Sequence, residues 1–397
     1  MIKITNKADC CGCEACANKC CVNCIDMVCD DEGFKYPNIN MEKCINCGQC
    51  ESVCPILNNI KTINNNVEGY AAINKNTDER MNSSSGGVFT LLAKEVLKSG
   101  GIVIGCSMSK DCMSAEHVII YDVKDLYKIT SSKYLQSNIN NMYKLTEYNL
   151  KKGKKVLFSG TPCQVVALKK FLCKSYENLI CIDLICHGVS SPGLWKTNAI
   201  SLSKKYKSKI YSVNFRYKKY KFDYGTQIMF NNQKVYYKSK NEDAYMQLFL
   251  NNISLRESCY TCKFKGISRA SDITLGDFWG IEKYVSSFND GMGISIVVIQ
   301  SKNGKKLFDK INFLTNCVNV DVNQVFKVSN IPMTASCTMP KGRNEFWDDY
   351  NKLHYEKLIK KYVKIPYKAI ILGILRKVHL HKFILNTKKL LKNNKKG

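Results

Sequence analysis

Cysteine is the residue type whose placement in this chain points to chemistry. Of 397 residues 22 are Cys, and twelve of those fall before residue 55. Cys10, Cys13, Cys16 and Cys20 follow the spacing C-x2-C-x2-C-x3-C, and Cys44, Cys47, Cys50 and Cys54 repeat it, with Pro55 directly after. Two-residue gaps let one loop offer three thiolates to a cubane, while the fourth Cys is displaced onto the start of a helix and serves the other cluster of the pair. The spacing therefore assigns Cys10, Cys13, Cys16 and Cys54 to one [4Fe–4S] cluster, and Cys44, Cys47, Cys50 and Cys20 to a second. Zinc is the alternative, but it usually takes two separated C-x2-C pairs rather than a run of four. Cys21 stands where the first run would carry Pro, and Cys11, Cys24 and Cys29 are extra thiols; they could shift the ligand register, and are read instead as buried small hydrophobes.

Composition narrows the setting. The opening MIKITNKAD is charged and lacks an apolar run, so no secretory leader is expected and a reducing, cytoplasmic location follows. An apolar content of 45% with 10% aromatics supports a buried core and excludes a disordered chain. The net charge is +27, of which +12 lies in residues 355–397, with thirteen Lys/Arg against Glu356. In that tail, apolar residues at 367, 370, 371, 374, 375 and 378 share one helical face, ringed by Lys368, Arg376, Lys377, Lys382, Lys388 and Lys389. Such a helix suits peripheral contact with an anionic membrane surface, or docking on the body with a solvated basic side. No aromatics are interleaved for base stacking, which argues against a nucleic-acid partner. Ala369–Leu375 is too short to span a bilayer.

Periodicity places the elements that must position these residues. A polar linker runs from Asn58 to Val67. Strand-like runs follow at Tyr70–Ile73, Ile102–Cys106, His117–Tyr121, Val156–Ser159 and Leu179–Cys186, with helical periods between them at Val88–Lys98, Ile139–Lys151, Val165–Leu172 and Leu194–Lys205. Residues 209–238 alternate as strands, a helix covers Glu242–Leu250, a strand Gly293–Gln300 and a helix Gly304–Phe313; from about Glu345 the chain is helical, broken at Pro366. The expected architecture is an α+β bacterial-type two-cluster ferredoxin module over residues 1–58. An α/β body in two parts, 68–206 and 207–340, follows it, and a helical basic tail covers 341–397.

Within the body, SSSGGVF (Ser83–Phe89), KYLQS (Lys133–Ser137), FSGTPCQV (Phe158–Val165), DLICHG (Asp183–Gly188), CYTCKF (Cys259–Phe264) and SDITLGDFWG (Ser271–Gly280) occur in that order. With the cysteine runs they span roughly residues 1–300, and over that length the chain resembles the coenzyme F420 hydrogenase/dehydrogenase beta-subunit family. The resemblance implies a FAD-binding α/β body beside [4Fe–4S] clusters, moving electrons between a hydride carrier and one-electron centres.

The residues carry readings of their own beside that implication. Ser84, Ser85, Gly86 and Gly87 precede a helical period and could present N–H groups to a pyrophosphate, or could be an ordinary Ser-capped helix start. Thr161 and Cys163 follow a buried strand and open a helix, the usual ligand position in an open α/β sheet; read alone, Cys163 could also be a nucleophile with a lowered pKa. Cys186 ends the next strand in the same way. With Cys259 and Cys262 they give four thiols from three loops, a number suited to a third [4Fe–4S] cluster, with zinc or a transient Cys259/Cys262 disulfide as alternatives. Lys133, Tyr134 and Gln136 are cofactor contacts by the resemblance, and a surface Lys and a core Tyr by default. For His187, Phe278 and Trp279 hydrogen bonding and core packing compete with a substrate role, and no residue is singled out as catalytic. Cys106, Cys112, Cys173, Cys181, Cys317 and Cys337 read as core thiols.

The expected activity is that of an iron–sulfur flavoprotein oxidoreductase. Its expected partners are a ferredoxin or a hydrogenase/dehydrogenase subunit, and a small-molecule hydride carrier or substrate. A membrane-seeking tail also fits reduction of an intermediate of cell-surface polysaccharide assembly. The alternative is a non-catalytic electron-transfer subunit of a larger redox complex.

Overall fold

A computed structural model describes residues 1–58, 67–285, 288–367 and 371. Most of the linker and nearly all of the basic stripe from Tyr367 to Leu385 lie outside them.

The N-terminal region comprises α1 (Ala15–Lys19), a hairpin of β1 (Ile25–Cys29) and β2 (Lys35–Ile39), and α2 (Gln49–Ser52). The body continues with β3 (Glu68–Asn74), α3 (Thr77–Met81), α4 (Val88–Lys98), β4 (Ile102–Met108), β5 (Ala115–Ile120), β6 (Ser137–Asn138), α5 (Met142–Lys151), β7 (Val156–Gly160), α6 (Pro162–Leu172), β8 (Leu179–Leu184) and α7 (Pro192–Tyr206). A meander of β9 (Ile210–Tyr220), β10 (Asp223–Phe230) and β11 (Val235–Ser239) leads to α8 (Ala244–Leu250). Then come β12 (Ile273–Asp277), β13 (Ser295–Ile299), α9 (Lys302–Ile311), β14 (Thr315–Val320), α10 (Val322–Val328), α11 (Arg343–Tyr350) and α12 (Tyr355–Tyr362).

A nine-stranded mixed sheet in the order β14-β3-β13-β12-β8-β7-β4-β5-β6 organises the body. It joins strands from residues 68–206 to strands from residues 207–340. Within that row β12, β8, β7 and β4 are consecutive and parallel to one another. Their near-continuous apolar runs, such as Val156–Gly160 with every residue buried, are what a sheet covered on both faces requires. Parallel strands end at one edge, so the loops after β7, β8 and β12 open side by side. β3 and β12 both pair antiparallel to β13, which brings the serine–glycine turn after β3 to the same edge. The expected strand over Leu179–Cys186 stops at Leu184; Ile185 donates one more bond to Leu275, and Cys186 and His187 then leave the sheet for the loop.

The iron–sulfur region is fastened to this body rather than tethered beside it. Phe34, at the hairpin tip, is fully buried against Trp347. Glu32 pairs with the buried Arg343, and a Cβ on Gly33 would lie 2.6 Å from the Cα of Gly193, so the two backbones touch. Asn18 donates to the Asn140 carbonyl at 2.7 Å, Asn140 N–H returns a bond to Glu14 at 2.8 Å, and Lys19 reaches the Phe171 carbonyl at 2.9 Å.

Candidate functional site

All 22 cysteines are free thiols. The two N-terminal runs share one backbone shape: Gly12 and Glu14 flank Cys13 at φ +64° and +61°, and Asn46 and Gly48 flank Cys47 at +53° and +71°. Left-handed residues on either side of a thiol turn successive N–H groups and sulfurs inward, the concave arrangement that holds anionic clusters. A non-Gly residue such as Glu14 adopts that conformation at a cost, and held strain of this kind clusters at functional sites. The helices that follow each turn carry Cys16 and Cys50, and Cys16, Cys20, Cys44, Cys50 and Cys54 gather in one buried group. Ile2 N–H donates to Cys50 Sγ at 3.3 Å. Burial pushes the Cys16 thiol up to about 12, so protons leave such groups when a metal displaces them. The donor set fits iron–sulfur clusters, with thiols of both runs brought into one group. Among the described residues, no three His, Cys, Asp or Glu side chains converge on a single-ion position.

The extra thiols divide. Cys21 and Cys29 are exposed rather than buried, and so is Cys173, because each lies in a turn or on a strand edge outside the core. Cys24 is buried with its sulfur 3.4 Å from that of Cys20. Cys11 contacts the thiols of both Cys13 and Cys163.

Cys163, Cys186, Cys259 and Cys262 meet at the sheet edge, lining a cavity of about 750 Å³. Cys163 and Cys262 act on Cys186, and all three act on Cys259, while burial pushes Cys186 up to about 12 and Cys259 far above its usual value. Thr161 and Gln164 form a capping box on α6 with Pro162 in its first turn, which fixes Cys163 one residue into the helix. A lowered Cys163 pKa does not survive: its contact with Cys11, then burial, drives the thiol well up, overriding the helix dipole.

Ser84, Ser85, Gly87, Lys133, Tyr134, Gln136 and Thr161 line the same cavity. Gly86 instead packs against β13: its N–H donates to Ser295 Oγ at 3.0 Å, and a Cβ there would lie 2.4 Å from the Ala72 carbonyl. Ser84 Oγ accepts from Ser132, and Gln136 turns its amide to the Cys11 and Gly12 carbonyls at 2.9 and 3.1 Å. Burial lowers Lys133 to about 8.

Several lining residues carry no signal in the sequence. Arg216 on β9 is buried, paired with Asp277 at 2.7 Å and stacked 3.6 Å from the Tyr224 ring; it donates to the Ser84 carbonyl. Lys240 lies over Tyr224 and Trp279, and Trp279 is 51% exposed at the cavity mouth. Only the alternation of β9 hinted at an inward face, and nothing separated Arg216 from the Lys and Tyr around it. His117, buried beside the cavity, bonds the Ser159 carbonyl and is pushed down to about 4 by burial, so it is neutral. His187 bonds Asn252 at 2.6 Å.

The stretches that build these surfaces match known families in chain order. Residues 37–56 match the 4Fe-4S binding domain. Residues 70–144 match the N-terminal domain, and residues 153–316 the C-terminal domain, of the coenzyme F420 hydrogenase/dehydrogenase beta subunit. The chain belongs to the coenzyme F420 hydrogenase/dehydrogenase beta-subunit family. Over 123 residues it is 28% identical to the coenzyme F420-dependent sulfite reductase of Methanocaldococcus jannaschii, which covers 31% of this chain and 19% of that protein. The match thus spans about a fifth of that relative's length. A chain of the F420-reducing [NiFe] hydrogenase complex from Methanosarcina barkeri aligns at 15% identity with a TM-score of 0.44, covering 75% of this chain and 96% of that one. The family's named members are oxidoreductases, and in this chain the 4Fe-4S match precedes both parts of the beta-subunit match. No described helix is long and apolar enough to cross a membrane.

Proposed function

We propose that this chain is an iron–sulfur flavoprotein that passes electrons between a one-electron redox partner and a hydride-exchanging small molecule. The observation that carries the reading is the convergence, on one cavity, of four thiols from three loops with the Ser83–Gly87 turn, while the N-terminal cluster loop touches the same wall through Cys11. In this reading Cys163, Cys186, Cys259 and Cys262 hold a third [4Fe–4S] cluster, and the cavity holds FAD.

The cavity chemistry fits a phosphate-bearing ring. Its volume of about 750 Å³ lies in the usual range for cofactor sites. Lys133, Arg216, Lys240 and Lys265 outnumber the single acid Asp277 on its wall, leaving net positive charge for a pyrophosphate. Gly87, at φ +81°, sits immediately before the eleven-residue α4, where a Cβ would crowd Asn74 and Arg80. Ser84, Ser85 and Gly87, with Thr161, Lys133 and Tyr134, are the proposed contacts.

When bound, FAD would exchange a hydride with a substrate and single electrons with a cluster. The chain's own part is to bind, orient and exclude water. Arg216 braces the serine turn through the Ser84 carbonyl, Tyr134 packs between Phe215 and Phe249, and neutral His117 fixes the Ser159 carbonyl at the end of β7. Coenzyme F420, named in its relatives, is the first carrier to test, with ferredoxin or a hydrogenase or dehydrogenase subunit on the one-electron side. A role in polysaccharide assembly depends on the tail beyond the described residues, and nothing in the cavity favours it.

The test is anaerobic purification, flavin quantification and assay of dye reduction by reduced F420 and by NAD(P)H. About one FAD per chain with turnover by one of these donors is expected. Flavin-free protein, inert with every donor unless a partner subunit is added, would make the chain a non-catalytic electron-transfer subunit.

A further inference from the structure

A buried cation is costly unless negative charge shares its surroundings. Arg256 is fully buried, and among the described residues no carboxylate pairs with it. Its Nε donates to the Cys10 carbonyl at 2.7 Å, one terminal nitrogen to Gln136 Oε1 at 3.0 Å and the other to the Lys35 carbonyl at 3.0 Å. Its plane lies over Tyr36 at 4.2 Å and near Phe34 at 5.3 Å. Those neutral acceptors satisfy its donors without balancing its charge. The ionisable groups that act on it are Cys10, Tyr36, Cys11 and Cys259, from the N-terminal region and from the cavity wall, and the sulfurs among them become negative only as thiolate ligands. Its own carbonyl accepts from the Cys259 N–H at 2.9 Å.

The loop is shaped to this contact. A Cβ on Gly12 would stand 2.8 Å from the Arg256 guanidinium and 2.4 Å from the Gln136 amide, so only glycine lets the Cys10–Cys13 turn lie flush on it. At the matching place in the second run, Asn46 takes the same left-handed conformation but is exposed, and Gly48, at the position of Glu14, meets nothing within 4 Å. One cluster loop is clamped onto a buried cation and its twin is not.

We propose that Arg256 is a positioning residue that raises the reduction potentials of both the cluster on Cys10, Cys13 and Cys16 and the cavity cluster, its unbalanced charge favouring the more negative, reduced form of each. The part concerning the cavity cluster rests on the third-cluster reading above; the part concerning Cys10 does not. Cluster potentials respond to local charge and hydrogen bonding, and Arg256 supplies charge to two clusters at once.

The test compares anaerobically purified full-length wild type, R256Q and R256K by iron and sulfide content and by dithionite titration followed by EPR. In R256Q the reduction equilibrium of these two clusters is expected to fall about tenfold, about 59 mV for a one-electron couple, while the cluster on Cys44, Cys47 and Cys50 moves least and serves as the internal control. R256K keeps the charge but not the three-way fork, and is expected to hold both potentials within about twofold of wild type. Fully loaded R256Q with unmoved potentials would overturn the proposal. Should R256Q fail to load iron, R256K decides: a tenfold shift in loaded R256K would contradict an electrostatic role. About eight irons in wild type would remove the cavity cluster, and with it the reading above, while the Cys10-side cluster would still report on Arg256.

Discussion

The two N-terminal cysteine runs and the four cavity cysteines reach similar donor sets by opposite routes. In the runs, eight thiols lie within 45 residues and local backbone turns at Gly12, Glu14, Asn46 and Gly48 aim them. In the cavity, four thiols spread over a hundred residues meet because β7 and β8 lie parallel and open Cys163 and Cys186 at one edge, where the Ser190–Leu255 bridge brings the segment carrying Cys259 and Cys262. The first site is therefore a property of short loops, and the second a property of the completed sheet. They should fail differently.

The largest expected contrast is in metal content. Cys163→Ser or Cys186→Ser is expected to lower iron by about four per chain while leaving the N-terminal pair loaded, as measured by iron and sulfide quantification. Cys13→Ser should instead remove its own cluster and spare the cavity. Unchanged iron in Cys163→Ser would break the assignment of the cavity thiols.

Next in size is the packing that joins the two regions. Phe34→Ala leaves a void under Trp347 and Arg256 and is expected to cost about 3–5 kcal/mol, read as a lowered Tm of the whole chain. A large loss confined to the N-terminal clusters, with the body's melting unchanged, would mean that the regions are only loosely joined.

Glycine substitutions discriminate within the runs. Gly12→Ala forces a Cβ into Gln136 and Arg256 and is expected to destabilise by about 1–3 kcal/mol, whereas Gly48→Ala meets open space and costs about 1 kcal/mol for its positive φ. Chemical denaturation of the two variants gives the order, and equal losses would contradict the clamp.

The smallest effect is in pH. Burial lowers Lys133 to about 8, below its value in the unfolded chain. It is thus held charged at a cost below its folded pKa, and that cost is relieved as pH rises through it. The proposed FAD affinity should weaken severalfold between pH 6.5 and 9 as positive charge leaves the cavity, and Lys133→Gln should flatten part of that slope, measured by flavin titration.

Legibility in the sequence follows the same division. The doubled spacing marked the N-terminal cysteine runs as candidate ligands because contiguous loops need no tertiary knowledge. Val88–Lys98 is a helix at the bounds its periodicity predicts, and β9–β11 fill the alternating stretch 209–238. The cavity thiols were found through their neighbouring stretches and not through spacing. β14 and the β1–β2 hairpin were missed, since their burial comes from partners far along the chain. Arg256, in the ordinary-looking stretch SLRESC, acquires its meaning only from Cys10, Gln136 and Lys35, which the fold brings to it. Cys11 is buried as its type suggested, and it lies between Cys13 and Cys163, which only the fold brings together.

Mössbauer spectroscopy with iron and acid-labile sulfide counting on anaerobically purified full-length protein is the most direct measurement. About twelve irons per chain, all in cubane environments, is the predicted result. Pale protein with zinc or no metal on its cysteines would contradict the account.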